Sequence, residues 1–158
     1  MTYSILIVDD DWMNREVLQA HLESVGYRVL TANSGPVALE LAAANEVDLV
    51  LLDVRMPGMD GYEVCIHLRN NERTAAVPVL LITALEDEAT KTRGLEVGVD
   101  DFITKPLDAL IMLNRIRGLL RMRQFQQELV RRERVLWDVL VQYVPPDVAQ
   151  QIMVHLAE

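Results

Sequence analysis

The chain has 158 residues, about half of them apolar, which suffices for one ordinary core and excludes a mainly disordered protein. Residues 1–118 carry the whole net charge of −9, whereas residues 119–158 hold five basic and five acidic residues. The sequence shows no basic patch typical of nucleic-acid binding, no apolar run long enough to span a membrane and no basic start of a secretion signal. With Cys65 as its single cysteine, the chain is expected to be a soluble cytoplasmic protein.

Five short runs bounded by turn residues predict β-strands at Ser4–Val8, Arg28–Ala32, Leu49–Leu52, Val79–Ile82 and Asp101–Thr104. The first, third and fourth runs are apolar without alternation, which is typical of strands buried on both faces. Helical patterns follow each run, at Trp12–Val25, Val37–Ala44, Gly61–Arg69, Glu86–Val97 and from Pro106 to Pro145. This order predicts an α/β fold, (βα)₅, with one open parallel sheet between two layers of helices.

Local signals refine the first and fourth predicted helices. The first helix carries an apolar stripe, and Asp11 just before it is expected to cap its N-terminus. The fourth helix opens with three acidic residues, which favour the positive end of a helix dipole. The stripe consists of Val17, Leu18, Leu22 and Val25, and the acidic residues are Glu86, Asp87 and Glu88.

Polar residues follow four of the predicted strands, where ligands of open α/β sheets bind. The first strand is followed by Asp9, Asp10 and Asp11, the third by Asp53, the fourth by Thr83 and the fifth by Lys105. Neighbouring carboxylates suit Mg²⁺, a carboxylate can attack phosphorus, and a lysine and a hydroxyl can stabilise a transferred phosphoryl group. Each residue alone is explained by a cap or a turn, but the combination predicts a phosphoryl-transfer site.

These segments resemble the receiver domain of two-component response regulators. The resemblance covers residues 3–120 and rests on Ile5–Asp11, Leu51–Gly61, Ile82–Ala84 and Gly98–Pro106. It implies a flavodoxin-like, CheY-like fold with strand order 2-1-3-4-5. It also implies that a sensor histidine kinase or phosphotransfer protein donates a phosphoryl group to this chain, which is a signalling domain and not an enzyme.

The same resemblance implies a role for individual residues. Asp53 is the expected phosphoacceptor, and Mg²⁺ or Mn²⁺ is expected at Asp9, Asp10, Asp53 and the backbone carbonyl of Arg55. Thr83, Ala84 and Lys105 are expected to bind the phosphoryl group, with Phe102 as the switch aromatic and a cis bond between Lys105 and Pro106. Arg55 and Leu85 are expected to flank the phosphoryl group and to influence its lifetime.

Three other functions are weaker explanations of the pattern. A phosphatase of the haloacid dehalogenase type needs a second carboxylate two residues after its nucleophile, and Arg55 stands there. A dinucleotide-binding domain needs a glycine-rich turn after its first strand, where this chain has three aspartates. A docking module without phosphorylation would have no use for the complete set of acceptor, acids, hydroxyl and lysine.

The predicted receiver covers residues 1–120, and residues 121–158 form a predicted helical linker or dimerisation tail. A heptad-like row in this tail predicts a parallel dimer helix, with Arg132 at one core position. A single amphipathic helix folded onto the receiver is the alternative, and the face of the fourth helix, fifth strand and fifth helix is a second candidate dimer surface. The segment Tyr143–Met153 resembles the linker before class III nucleotide cyclase domains, so either the chain is expected to be a fragment of a longer regulator or the tail itself is expected to be the output. The row consists of Met122, Phe125, Leu129, Leu136, Val139 and Tyr143.

Overall fold

The computed structural model describes residues 2–84 and 87–158. Five parallel strands form one sheet in the order β2-β1-β3-β4-β5, which confirms the predicted fold and strand order. The edge strands β2 and β5 are partly exposed, whereas the three central strands are buried throughout. The strands are β1 (Ser4–Val8), β2 (Arg28–Ala32), β3 (Leu49–Asp53), β4 (Val79–Thr83) and β5 (Asp101–Thr104).

Helices connect the strands, and most of them begin at a side chain that caps the first turn. Asp11 caps α1 as predicted, Ser34 caps α2, Asp60 caps α3 and Asp87 caps α4, each accepting hydrogen bonds from backbone N–H groups. Gly98 ends α4 in the left-handed conformation that glycine adopts without strain. The helices are α1 (Trp12–Ser24), α2 (Gly35–Ala44), α3 (Gly61–Arg69), α4 (Glu88–Val97), α5 (Ala109–Tyr143) and α6 (Pro146–Ala157).

The apolar core lies on both faces of the sheet because successive strand residues point to opposite sides. Leu6 and Leu52 pack with buried residues of α2 and α3 on one face. Ile5 and Leu51 pack on the other face with α1 and the first three turns of α5. The central strands are therefore fixed on both sides, and their carboxyl ends form a common edge.

Some boundaries differ from the prediction. Asp53 and Thr83 are the last residues of their strands rather than the first residues beyond them, because both still pair with the neighbouring strand. The predicted stripe of the first helix is only half right, since Leu18 and Leu22 are buried but Val17 is 52% exposed. Val25 is also exposed, because α1 ends before it and Val25 forms the C-terminal cap.

The fourth helix begins later than predicted. Asp87 is its N-cap and Glu88 lies in its first turn, so the helix starts two residues after the predicted position. The Asp87 carboxylate accepts a hydrogen bond from Thr90 N at 2.7 Å, and this bond lowers the pKa of Asp87. Glu86 lies outside the described residues.

The chain divides into two compact units, Met1–Arg121 and Met122–Glu158. The first unit, the α/β unit, holds the sheet with α1 to α4 and the start of α5. The second, the helical unit, holds the rest of α5 together with α6. Within the described ranges, no helix is both long and apolar enough to cross a membrane.

Candidate functional site

Asp9 lies at the carboxyl edge of the sheet, directly after β1, and its position is held by four hydrogen bonds. Its backbone N–H donates to Ala32 O, and its carbonyl accepts from the Arg15 guanidinium at 2.8 Å. Its carboxylate accepts from Asp11 N at 2.9 Å and from Asn14 Nδ2 at 3.3 Å. The side chain is almost completely buried, so its orientation is fixed by these bonds and not by solvent. Asn14 and Arg15 were not predicted, although both lie in the first turn of the helix after the acidic run.

Asp53 ends β3 and is buried at the same edge. The Lys105 ammonium lies 3.2 Å from Asp53 Oδ1, which brings together the expected acceptor and the expected lysine. The chain after Asp53 turns back tightly, with Gly61 N donating to Val54 O at 2.9 Å. A Cβ atom on Gly61 would collide with the Asp53 carbonyl oxygen, so only glycine fits the position that starts α3. The sequence motif includes Gly61, but the sequence alone did not indicate this steric requirement.

The carboxylates of Asp9, Asp10 and Asp53 each offer one oxygen within 4.8 Å of the others. Burial raises the pKa of Asp9 and of Asp53 above the ordinary value, and for Asp53 the charge of Asp9 raises it further while Lys105 lowers it. Asp10 is exposed to solvent, which leaves one side of the cluster open. Three oxygen ligands beside solvent match the preference of Mg²⁺ for a few carboxylates plus water, so the donor set fits this ion.

Thr83 and Lys105 come from neighbouring strands at the same edge. Thr83 ends β4 and is buried, and its carbonyl accepts from Lys105 N at 2.8 Å. The Lys105–Pro106 peptide bond is cis, as the resemblance implies. The structure therefore places Thr83 and the Lys105 ammonium at the edge of the sheet that carries the carboxylate cluster.

The other expected residues surround this centre. Arg55 lies exposed in the loop after β3, and Ala84 lies exposed just after β4. Leu85 lies outside the described residues. Phe102 is half-buried on the edge strand β5, and its ring lies against α4, where a Cβ on Gly94 would come within 2.5 Å of ring atoms Cε1 and Cζ. Gly94 was not predicted, and a glycine inside a helical pattern was the only signal that could have indicated it.

Comparison with known proteins decides between the candidate families. The family model for the response regulator receiver domain matches residues 5–117. The chain belongs to the response regulator receiver family. Receiver domains are signalling domains that interact with histidine kinases or phosphotransfer proteins, and they bind Mg²⁺ at the acidic pocket that Asp9, Asp10 and Asp53 form here.

Curated relatives are similar over the receiver and extend well beyond it. Response regulator PleD of Caulobacter vibrioides is 45% identical over 133 residues, which cover 84% of this chain and 29% of PleD. The DNA-binding dual master transcriptional regulator RpaA of Synechocystis is 44% identical over 117 residues, which cover 74% of this chain and 48% of RpaA. The chain thus spans half or less of these relatives.

Solved receiver structures share the fold. A response regulator from Chloroflexus aurantiacus has a TM-score of 0.73 and 36% identity, and the match covers 77% of this chain and 99% of that one. The receiver domain of sensor histidine kinase PA1611 from Pseudomonas aeruginosa has a TM-score of 0.71 and 29% identity, covering 76% and 98%. The latter structure holds a magnesium ion coordinated in its active-site cleft.

Proposed function

We propose that this receiver accepts a phosphoryl group on Asp53 from the phosphohistidine of a sensor histidine kinase or phosphotransfer protein. One observation carries the proposal: Asp53 is a buried carboxylate 3.2 Å from the Lys105 ammonium, in a cluster with Asp9 and Asp10. Burial raises the pKa of a carboxylate whose charge is needed for attack, so a counter-charge is required to make it a competent nucleophile.

Each residue of the edge has a part in the transfer. A carboxylate oxygen of Asp53 forms a bond to phosphorus while the phosphorus–nitrogen bond of the phosphohistidine breaks, and the imidazole leaves with that electron pair. Lys105 and the Thr83 hydroxyl would hold the negative oxygens of the transferred group. Asp9, Asp10, Asp53 and the Arg55 carbonyl would hold Mg²⁺, which when bound would neutralise further negative charge on the transferred group.

The phosphodonor has a surface to bind beside the acceptor. A groove between α1 and the start of α5 is lined mainly by apolar side chains, and Asp9 and Lys105 lie at its polar end. Met13 and Val17 in this groove are more than half exposed, as is Trp12 next to it. An apolar strip that ends at the acceptor suits a helical domain that carries phosphohistidine.

Phosphorylation is proposed to change the surface formed by α4, β5 and α5. The added charge would draw the Thr83 hydroxyl and Ala84 toward Asp53, and the half-buried ring of Phe102 would follow. Phe102 has no hydroxyl, so its movement depends on packing alone. We propose that the helical unit carries this change to an output, for which a nucleotide cyclase is the candidate because of the segment Tyr143–Met153.

A homodimer through the helical unit, or through the α4–β5–α5 face, belongs to the same proposal. So does a cytoplasmic location, which is supported by Cys65, a buried cysteine outside any disulfide. The acidic charge of residues 1–118 and the neutral tail argue against direct contact with nucleic acid.

Mass spectrometry of the intact chain after incubation with acetyl phosphate and Mg²⁺ tests the acceptor. We expect the wild type to gain one phosphoryl mass and Asp53→Asn to gain none. Asp138→Asn is the matched control, because it removes an exposed carboxylate from the helical unit and should be phosphorylated like the wild type. Equal labelling of the wild type and Asp53→Asn would refute the assignment of Asp53.

A further inference from the structure

The helical unit exposes a row of large apolar side chains along α5. This row, called the seam below, repeats in alternating steps of three and four residues apart from one gap. Its exposed fractions run from 38% at Leu136 to 80% at Tyr143. The seam consists of Met122, Phe125, Leu129, Leu136, Val139 and Tyr143.

Burial within the helical unit occurs on a different side of α5. Trp137, Leu140 and Val144 are half-buried, and Ala149 of α6 is fully buried. At 3.6 residues per turn, the half-buried side chains lie about a quarter-turn around the helix from the seam. The unit therefore has a small apolar contact of its own and still leaves the seam in solvent.

The gap in the seam is occupied by an arginine. Arg132 stands where the spacing requires a core residue, midway between Leu129 and Leu136. Its guanidinium lies 2.7 Å from the Glu128 carboxylate one turn earlier, and Glu133 follows it. Taking Met122 as heptad position a, Arg132 occupies a d position, Glu128 a g position and Glu133 an e position.

We propose that the seam binds the seam of a second copy of this chain in a parallel, in-register coiled coil. In this arrangement a d side chain packs into a hole that includes the e position of the facing helix. The two Arg132 residues would share one d layer, and each would lie between Glu128 of its own helix and Glu133 of the other copy. The charge that interrupts the apolar row thus finds a partner of opposite sign, and this pair specifies the register.

This inference deepens the proposed function by naming the partner of the helical unit and its geometry. It rests on the contacts of residues 122–143 and not on the chemistry of Asp53. A failure to dimerise would leave the phosphorylation of Asp53 standing, and Asp53→Asn should dimerise like the wild type if the seam alone holds the dimer.

Light scattering coupled to size-exclusion chromatography of the full chain tests the seam. We expect the wild type to have the mass of a dimer at micromolar concentrations and Leu129→Glu to have that of a monomer. Val130→Glu is the matched control and should remain dimeric, because Val130 is 64% exposed, close to the 61% of Leu129, but lies outside the seam. A monomeric wild type, or the same mass for both glutamate variants, would overturn the proposal.

Disulfide formation between copies tests the orientation. Met122→Cys should crosslink to itself in a parallel in-register dimer, whereas an antiparallel dimer places the two residues at opposite ends. Native Cys65 is buried and should not interfere. A dimer that resists this crosslink would contradict the proposed geometry.

A charge exchange tests the paired layer. Arg132→Glu should weaken dimerisation about tenfold, because it places two glutamates together, and the double variant with Glu133→Arg should recover most of that loss. Circular dichroism shows whether each variant keeps its helix. A double variant no tighter than the single variant would show that Arg132 and Glu133 do not pair between copies.

Discussion

The two units of this chain are stabilised in different ways. The α/β unit buries its central strands completely and ties distant segments together. Arg69 at the end of α3, for example, donates to Val77 O before β4 and to Gly98 O before β5. The helical unit is mostly exposed, and the ion pair of Arg132 with Glu128 joins adjacent turns of one helix. A fold held by long-range contacts is specified within one chain, whereas a helix held by local contacts gains most from a partner.

Among the substitutions that compare the two units, one at Arg69 is expected to cause the largest loss of stability. Its guanidinium donates to the carbonyls of Val77 and Gly98 and to the Asp100 carboxylate, with distances of 2.6 to 3.0 Å, and its side chain is 21% exposed. Arg69→Ala leaves several of these acceptors without a donor and should lower the free energy of unfolding by about 2–4 kcal/mol. Urea denaturation followed by circular dichroism measures the change.

Glu128→Gln is the counterpart in the helical unit. It removes an exposed pair between adjacent turns and should change stability by less than about 0.5 kcal/mol. If the two substitutions had similar effects, the contrast between long-range and local stabilisation would be wrong.

A pair of glycines gives a second, smaller contrast. Gly94→Ala should destabilise the receiver by about 1–3 kcal/mol, because the new methyl group would overlap the ring of Phe102. Gly118→Ala in α5 meets nothing within 4 Å and should stabilise the helix by about 0.5–1 kcal/mol. The unfolding temperatures of the two variants should therefore shift in opposite directions. A shift in the same direction would show that the space beside Gly94 is not limited by the ring of Phe102.

Burial of the Asp53 carboxylate, together with repulsion from Asp9, should make the stability of the chain depend on pH in the absence of divalent metal. The folded-state pKa of Asp53 is raised, so the folded chain binds this proton more tightly than the unfolded chain, and stability falls as pH rises from the unfolded pKa through the folded pKa. Asp53→Asn lacks this loss and should be the more stable protein at neutral pH in EDTA. Unfolding midpoints of both proteins at several pH values test this expectation. Added Mg²⁺ should reduce the difference in stability between the wild type and Asp53→Asn.

The smallest predicted effect concerns Cys65, whose thiol should react slowly with thiol reagents in the folded chain. Its thiol is buried, lies 3.4 Å from Val97 O, and has a pKa raised mainly by burial. A thiol reagent should react slowly with Cys65 in the native chain and quickly in urea. A cysteine placed at the exposed Val130 position should react quickly in both conditions, and rapid native labelling of Cys65 would show that α3 opens readily.

Much of the site was predictable because strand ends carry a clear chemical signal. Asp9, Asp53 and Thr83 follow or end apolar runs, and parallel strands bring their carboxyl ends together whatever the loops do. The residues that hold these site residues in position were not predictable. Asn14 matters through a hydrogen bond to Asp9 that depends on side-chain orientation, and Gly94 matters through the shape of the Phe102 ring, and neither leaves a periodic pattern.

The order of elements, the family and the set of charged residues at one edge could be read from the sequence, because periodicity and strand-end residues are local properties. Only the tertiary structure decided that Asp53 lies 3.2 Å from Lys105, that Val17 and Val25 leave the core, and that the seam stays in solvent. These outcomes depend on which surfaces meet in three dimensions, and that is a property of packing that no single segment encodes.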